Sequence, residues 1–156
     1  MINIKLSAVC ADGWTMIPDT TMCLKYNTTL TSFSKAASLC KVDGADLYLP
    51  KSESENNFIS KLVKVERLSV VPDIWLGASY IFEEGEWKND RNESISFTNW
   101  ISGKPNNDHL GFAENCAVVK LQENGLWRYQ FCEPKSKNLS AICFIRGNKL
   151  LLLVYY

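Results

Sequence analysis

The chain has 156 residues, enough for one domain with a substantial core, and its seventeen Lys and Arg are cancelled by seventeen Asp and Glu. That balance excludes a general electrostatic affinity for nucleic acid or for an anionic membrane. Six cysteines, a single histidine (His109) and no Cys-x-x-Cys pair exclude an ordinary zinc site, so the cysteines read as a disulfide framework made in an oxidising compartment.

Taken in chain order, residues 1–9 are interrupted by Lys5 and are too short for a secretory leader. They are read as a leader remnant or linker. Residues 14–27 alternate well enough for two short strands around Cys23. Residues 32–41 predict a helix, with Phe33, Ala36, Ala37 and Cys40 at helical spacing. A second helix opens on Ser52-Glu53-Ser54-Glu55, a capping box in which Ser52 bonds the Glu55 amide and Glu55 reaches back. It runs to about Val65 and buries Phe58, Ile59 and Leu62.

Residues 73–79 predict a central strand through Trp75-Leu76-Gly77. The stretch from there to Asn115 is rich in Gly, Asn, Asp, Ser and Pro and reads as a long functional loop region. Strands follow over 116–121, 125–130 and 139–145. Trp75, Trp87, Trp100 and Trp127 are assigned to packing. In the tail 146–156 the seven apolar residues from Leu150 are far short of the ~20 needed to span a bilayer, so they read as an extra edge strand or a truncated membrane segment. No direct membrane binding is predicted.

Between the cysteines stand Trp14 after Cys10, Phe33 to Cys40, Pro50 to Ile59, Trp75-Leu76-Gly77, Trp87, Phe97-Thr98-Asn99-Trp100, Glu114-Asn115-Cys116, Gly125-Leu126-Trp127, Cys132 and Ala141-Ile142-Cys143. In order and spacing this series resembles the long form of the C-type lectin-like domain, over residues 10 to about 145. The resemblance implies an α+β fold with two helices, small antiparallel sheets, a long loop region and three disulfides, Cys10–Cys23, Cys40–Cys143 and Cys116–Cys132. All six cysteines are then used, so no interchain disulfide is expected. The domain takes residues 10–145, and no role is assigned to the tail.

Family members that bind sugars do so through calcium, held by a Glu-Pro-Asn or Gln-Pro-Asp triplet, a later Glu and an Asn-Asp pair after the penultimate strand's Trp. Here the triplet position reads Lys104-Pro105-Asn106, the later acid is Glu114, and Trp127 is followed by Arg128 and Tyr129. Calcium takes six to eight hard oxygen ligands, and two cations now stand among the ligand positions. At an effective dielectric of 20 a unit charge 4 Å from another is worth roughly 4 kcal/mol, doubled for calcium, so Lys104 turns attraction into repulsion. At the auxiliary site Glu84 falls near one ligand, but Tyr80 and Asn115 replace acids. The reading is loss of calcium, with no cofactor, and Glu114 satisfied instead by Lys104 or Arg128.

The ligand-binding candidates are Lys104, Asn106, Asn107, Asp108, Glu114, Arg128 and Tyr129, expected to converge at one end of the domain. Asn27, Asn92 and Asn138 head acceptor sequons for glycosylation. His109 has no nucleophile beside it and lies in polar sequence, so no catalytic residue is assigned. The function expected is a binding module, secreted or on the extracellular face of a membrane protein. It would recognise an extracellular protein or other ligand without calcium. The alternatives are a carbohydrate-binding lectin with an atypical site and a structural extracellular domain of a longer protein.

Overall fold

The computed structural model describes residues 3–65, 73–80, 86–103, 116–133 and 138–154. Chain order is β1 (Asn3–Val9), β2 (Thr15–Met16), β3 (Met22–Thr31), α1 (Phe33–Val42), β4 (Asp46–Leu47), α2 (Glu53–Val65), β5 (Asp73–Ser79), β6 (Lys88–Asn89), β7 (Cys116–Lys120), a 3-10 turn (Leu121–Glu123), β8 (Leu126–Gln130), β9 (Leu139–Arg146) and β10 (Asn148–Val154). Both helices and strands β5, β7, β8 and β9 lie within about a residue of the sequence expectation, whereas β6 falls in the stretch read as loop.

The helix starts show how local sequence and distant partners share the work. Ser52 Oγ accepts the Glu55 amide at 3.2 Å, as the capping box requires. Glu55 reaches one residue further back than expected, taking the Lys51 amide at 2.8 Å and the Tyr48 hydroxyl at 3.1 Å. α1 has no such local cap, since Ser32 makes no capping bond. Its first turn is held from the far end of the chain. Glu133 accepts from the Ser34 hydroxyl and from the Ser34 amide at 3.4 Å, and the Phe33 amide donates to the Cys132 carbonyl at 2.9 Å. The Ser34 hydroxyl holds the Glu133 carboxyl below its ordinary range, and its negative charge suits a helix amino terminus.

One eight-stranded sheet carries the domain, in the order β2-β3-β9-β5-β7-β8, with β4 paired to β9 and β6 to β5. Small antiparallel sheets were expected, but this sheet is mixed. β5 runs parallel to β9, Ile74 opposite Ser140 and Trp75 opposite Ala141. The chain between those strands is long enough to cross over, which a parallel pair needs and a hairpin does not supply. Residues 3–9, expected as leader remnant or linker, form β1. It pairs antiparallel with β10 in a separate two-stranded sheet, Asn3 opposite Val154 and Val9 opposite Asn148.

β5 is buried on both faces, which explains its apolar run. On one side Ile74 and Leu76 join Ile59 and Val63 of α2, with Val119 and Trp127. On the other Trp75 meets Phe33, Ala36 and Cys40 of α1, with Val118 and Ala141. Gly77 lies where β4 crosses: a Cβ there would sit 2.4 Å from the Leu47 carbonyl oxygen. The three disulfides close in the pairing the resemblance implied, with Cα separations of 5.6, 5.3 and 5.1 Å, and no cysteine is free.

Around Trp127, which is fully buried, the strands, α2 and the long loop's stem are joined by hydrogen bonds. Its indole N–H donates to Asn56 Oδ1 at 2.8 Å, and Asn56 Nδ2 donates to the Gly125 carbonyl at 3.1 Å. Asn99 Nδ2 reaches the same carbonyl at 2.9 Å. Through the backbone, the Trp127 amide donates to the Asn99 carbonyl at 2.8 Å and the Ile101 amide to the Trp127 carbonyl at 3.0 Å. Gly125 has φ +74° and no room for a side chain, since its Cβ would come within 2.9 Å of Asn56 Nδ2.

Asn56→Ala strands the buried indole N–H and is expected to cost about 2–4 kcal/mol in chemical denaturation. Asn56→Asp, which keeps the acceptor, should lose less of the Trp127 contact but more of the Gly125 one. Among the bridges, paired serine replacement of Cys40 and Cys143, 103 residues apart, should cost the most. The loop-entropy model gives about 5 kcal/mol for it against about 3 for either short bridge, and thermal melts of the three double mutants would rank them.

Candidate functional site

Beyond the Trp127 stem the chain builds an aromatic cluster where the long loop leaves the sheet. Trp87 and Tyr129 stack with ring centroids 4.8 Å apart and planes within 10°. Trp100 closes on both, at 4.8 Å from Trp87 and 4.7 Å from Tyr129, and meets Trp127 edge-on at 5.3 Å. Tyr80 covers Trp87 at 5.5 Å, and Phe97 packs edge-on against Trp127 at 5.7 Å. Trp75, Trp87 and Trp127 are buried and Trp100 is half-buried, so the tryptophans are core, as the sequence suggested.

Strand alternation then separates two residues expected to act together. Arg128 and Tyr129 are adjacent in β8, so their side chains leave opposite faces. Tyr129 is 5% exposed and lies inside the cluster. Burial, with Tyr80 nearby, raises its phenol well above the ordinary range, so it stays neutral. It is therefore a packing residue and not part of an exposed face, which corrects the expectation that it converges with Arg128 on a ligand.

Arg128 is half-exposed and forms an ion pair with Glu123 at 2.8 Å. The expected pairing of Glu114 with Lys104 or Arg128 involves residues outside those described, while Glu123 lies on the 3-10 turn five residues back. A short turn followed by β8 folds that acid directly under the guanidinium. The remaining candidates, Lys104, Asn106, Asn107, Asp108 and Glu114, lie outside the described residues, as do Glu84, His109 and Asn115.

These described residues do not fit calcium. One position that would supply an oxygen ligand carries a guanidinium already held by an acid, and the other an aromatic ring packed among aromatics. Among the described residues no three His, Cys, Asp or Glu side chains gather as a metal group.

The sequons differ in setting. Asn92 is exposed, has φ +61° and sits at the tip of the turn after β6, its amide donating to the Asn89 carbonyl at 3.0 Å. Asn138 is exposed just before β9. Asn27 is half-buried in β3, its carboxamide oxygen accepting the Thr29 amide at 3.0 Å.

The sequence reading missed Asn56. Its signal was available: it shares the buried stripe of α2 with Ile59 and Val63, at i, i+3 and i+7. An amide in an apolar stripe demands partners, and Trp127 and Gly125 provide them.

Comparison with known proteins agrees with this geometry. The family model for the lectin C-type domain matches residues 29–144. Perlucin of Haliotis laevigata is 30% identical over 115 residues, covering 73% of this chain and 72% of that protein. Mouse tetranectin is 32% identical over 140 residues, 88% of this chain and 65% of its own length. The chain thus spans less than two thirds of some curated relatives. Among solved structures, the C-type carbohydrate-recognition domain of cow CD23, crystallised in the presence of an oligosaccharide, superposes with a TM-score of 0.75 at 21% identity, covering 91% of this chain and 99% of that one. A calcium-independent type II antifreeze protein superposes equally well, with a TM-score of 0.75 at 20% identity over 91% of this chain and 98% of that one. The chain belongs to the C-type lectin domain family, whose members are non-enzymatic binding proteins.

Proposed function

We propose that this chain is an extracellular recognition module that binds a protein, or another ligand needing no metal, through its long-loop face without calcium. Domains of this family bind glycans or proteins. The observation that carries the calcium-free reading is the state of the two residues after Trp127. Arg128 is engaged by Glu123 and Tyr129 is packed against Trp87, so neither side chain offers a carboxylate or amide oxygen to an ion. Lys104 at the head of the triplet supports the same reading from the sequence. The antifreeze neighbour supports it from the fold, since this architecture exists in a protein described as calcium-independent.

Arg128 and Lys104 are the residues proposed to meet the partner, with Asn106, Asn107, Asp108 and Glu114 around them. Arginine suits that role, because a guanidinium backed by a carboxylate is pre-positioned for an acceptor across an interface. Secretion is inferred from three disulfides, which form in oxidising compartments. No described helix is long and apolar enough to cross a membrane. Asn92 and Asn138, exposed and in turns or at a strand start, are the inferred glycan carriers. Asn27, tied into β3, is the weaker acceptor.

Calcium at millimolar concentration should leave the melting temperature within about 1 °C of the value in chelator. An ion present at ten times its Kd would add about 1.4 kcal/mol, or roughly 3–6 °C for a domain of this size. A chelator-reversible shift of that size would refute the calcium-free reading. Chelator-sensitive binding on a glycan array would install the lectin alternative in its place.

Tyr129→Asp, the substitution that reinstates a carboxylate after Trp127, is expected to destabilise the domain by several kcal/mol, because it buries a charge among rings. Added calcium should not rescue it, and a melt of the variant with and without the ion would decide.

A further inference from the structure

Away from the Trp127 stem a cavity of about 400 Å³ opens between β4, the end of β9, the residue leading into α2 and the turn after β6. Neither Arg128 nor Tyr129 lines it. Its size is within the usual range for a ligand pocket, ~300–1,000 Å³. Its apolar lining comes from Met22, Leu49 and Phe144, and Phe144 is braced edge-on by Tyr48 at 6.0 Å.

The charges around the cavity decide what it would accept. Asp46 is 5% exposed and carries two cations, Lys41 and Arg91, the latter through Nε at 3.1 Å. Burial pushes the Asp46 carboxyl up, but those two partners outweigh it and hold it below its ordinary value, so it stays ionised and satisfied. Asp90 lies 3.8 Å from Lys41, and Glu93 accepts from Asn89 Nδ2 at 2.8 Å. Every lining acid therefore has a partner. Two lining cations do not: Lys51 and Arg146 have no side-chain ion pair or hydrogen bond among the described residues. Among the described residues Glu93 meets only a neutral amide, yet around the cleft the cations Lys41, Lys51, Arg91 and Arg146 outnumber the acids Asp46, Asp90 and Glu93, and the free cations border apolar surface.

We propose that this cleft is a second binding site, separate from the long-loop face, for a carboxylate carried on an apolar body. The carboxylate is received by Lys51 and Arg146, and the hydrocarbon lies on Met22, Leu49 and Phe144. The Asp46–Lys41–Arg91 cluster is the rigid wall that ties the turn after β6 to β4 and keeps the cleft open. The acids of the turn, Asp90 and Glu93, would repel a reversed ligand and so fix its direction. Two sources present this chemistry: a free aryl or alkyl acid, and an acidic side chain beside an apolar one in a peptide.

The test is a two-dimensional amide NMR titration of the whole chain with 3-phenylpropanoate, with its alcohol analogue 3-phenylpropanol, and with the doubly blocked dipeptide Phe-Glu. The acid and the dipeptide should give saturable shifts at Leu47, Leu49, Asn89, Arg91 and Phe144, and the alcohol should bind at least tenfold more weakly. The double variant Lys51→Gln, Arg146→Gln should keep the wild-type melting temperature, since neither side chain is buried or paired, and should weaken the acid at least tenfold. Tighter binding of the dipeptide than of the acid would identify a peptide source, and the reverse a free acid. Equal binding of acid and alcohol, shifts centred elsewhere, or no saturation by about 10 mM would overturn the proposal. Failure here leaves the calcium titration untouched, so the two readings fall separately.

Discussion

The hydrogen bond from the Trp127 indole to Asn56 joins the parts of the molecule that would otherwise be independent. Asn56 brings α2, Trp127 brings the sheet, and Asn99 and Ile101 bring the stem of the long loop. The bond is buried, so each partner would be costly to leave alone. Its effect reaches outward because the two amides share one carbonyl, that of Gly125, at a turn where no other residue fits. The long loop therefore leaves the sheet from a fixed point, set by protein groups.

On that base the aromatic cluster packs where the long loop leaves the sheet. Tyr129 makes ring contacts with Trp87 and Trp100. Arg128, on the opposite face of the same strand, keeps its charge at the surface with Glu123. Of these two residues, one fills the interior and the other holds a cation at the surface through its ion pair with Glu123. The cleft beside Asp46 is built on the same logic, with its buried acid fully occupied and its free cations on the rim.

Much of the architecture was legible because it rests on patterns that a sequence displays directly. The cysteine order, the apolar run of β5 and the capping signal at Ser52 are local or countable features. What escaped notice depends on partners distant in sequence. The cap of α1 comes from Glu133, about a hundred residues away, and Glu55 overshoots to Lys51 because Tyr48 stands beside it. Tyr129 looked like a surface residue because its place was inferred from a ligand position, whereas strand parity turns it inward against Trp87. Arg128 found Glu123 because a three-residue turn intervenes, which composition does not announce. The cleft needs β4, β9 and the turn after β6 together, and no single segment foretells it.

The stem of the long loop is tied by hydrogen bonds within the protein, and the calcium-free reading proposed above predicts that an ion adds nothing to them. Hydrogen exchange of the Trp127 indole N–H and the Ile101 amide, followed in chelator and in millimolar calcium, tests it most directly. Both protons should exchange slowly, in the range of global unfolding, and at the same rate in the two conditions. Rapid exchange in chelator that slows on adding calcium would contradict the account.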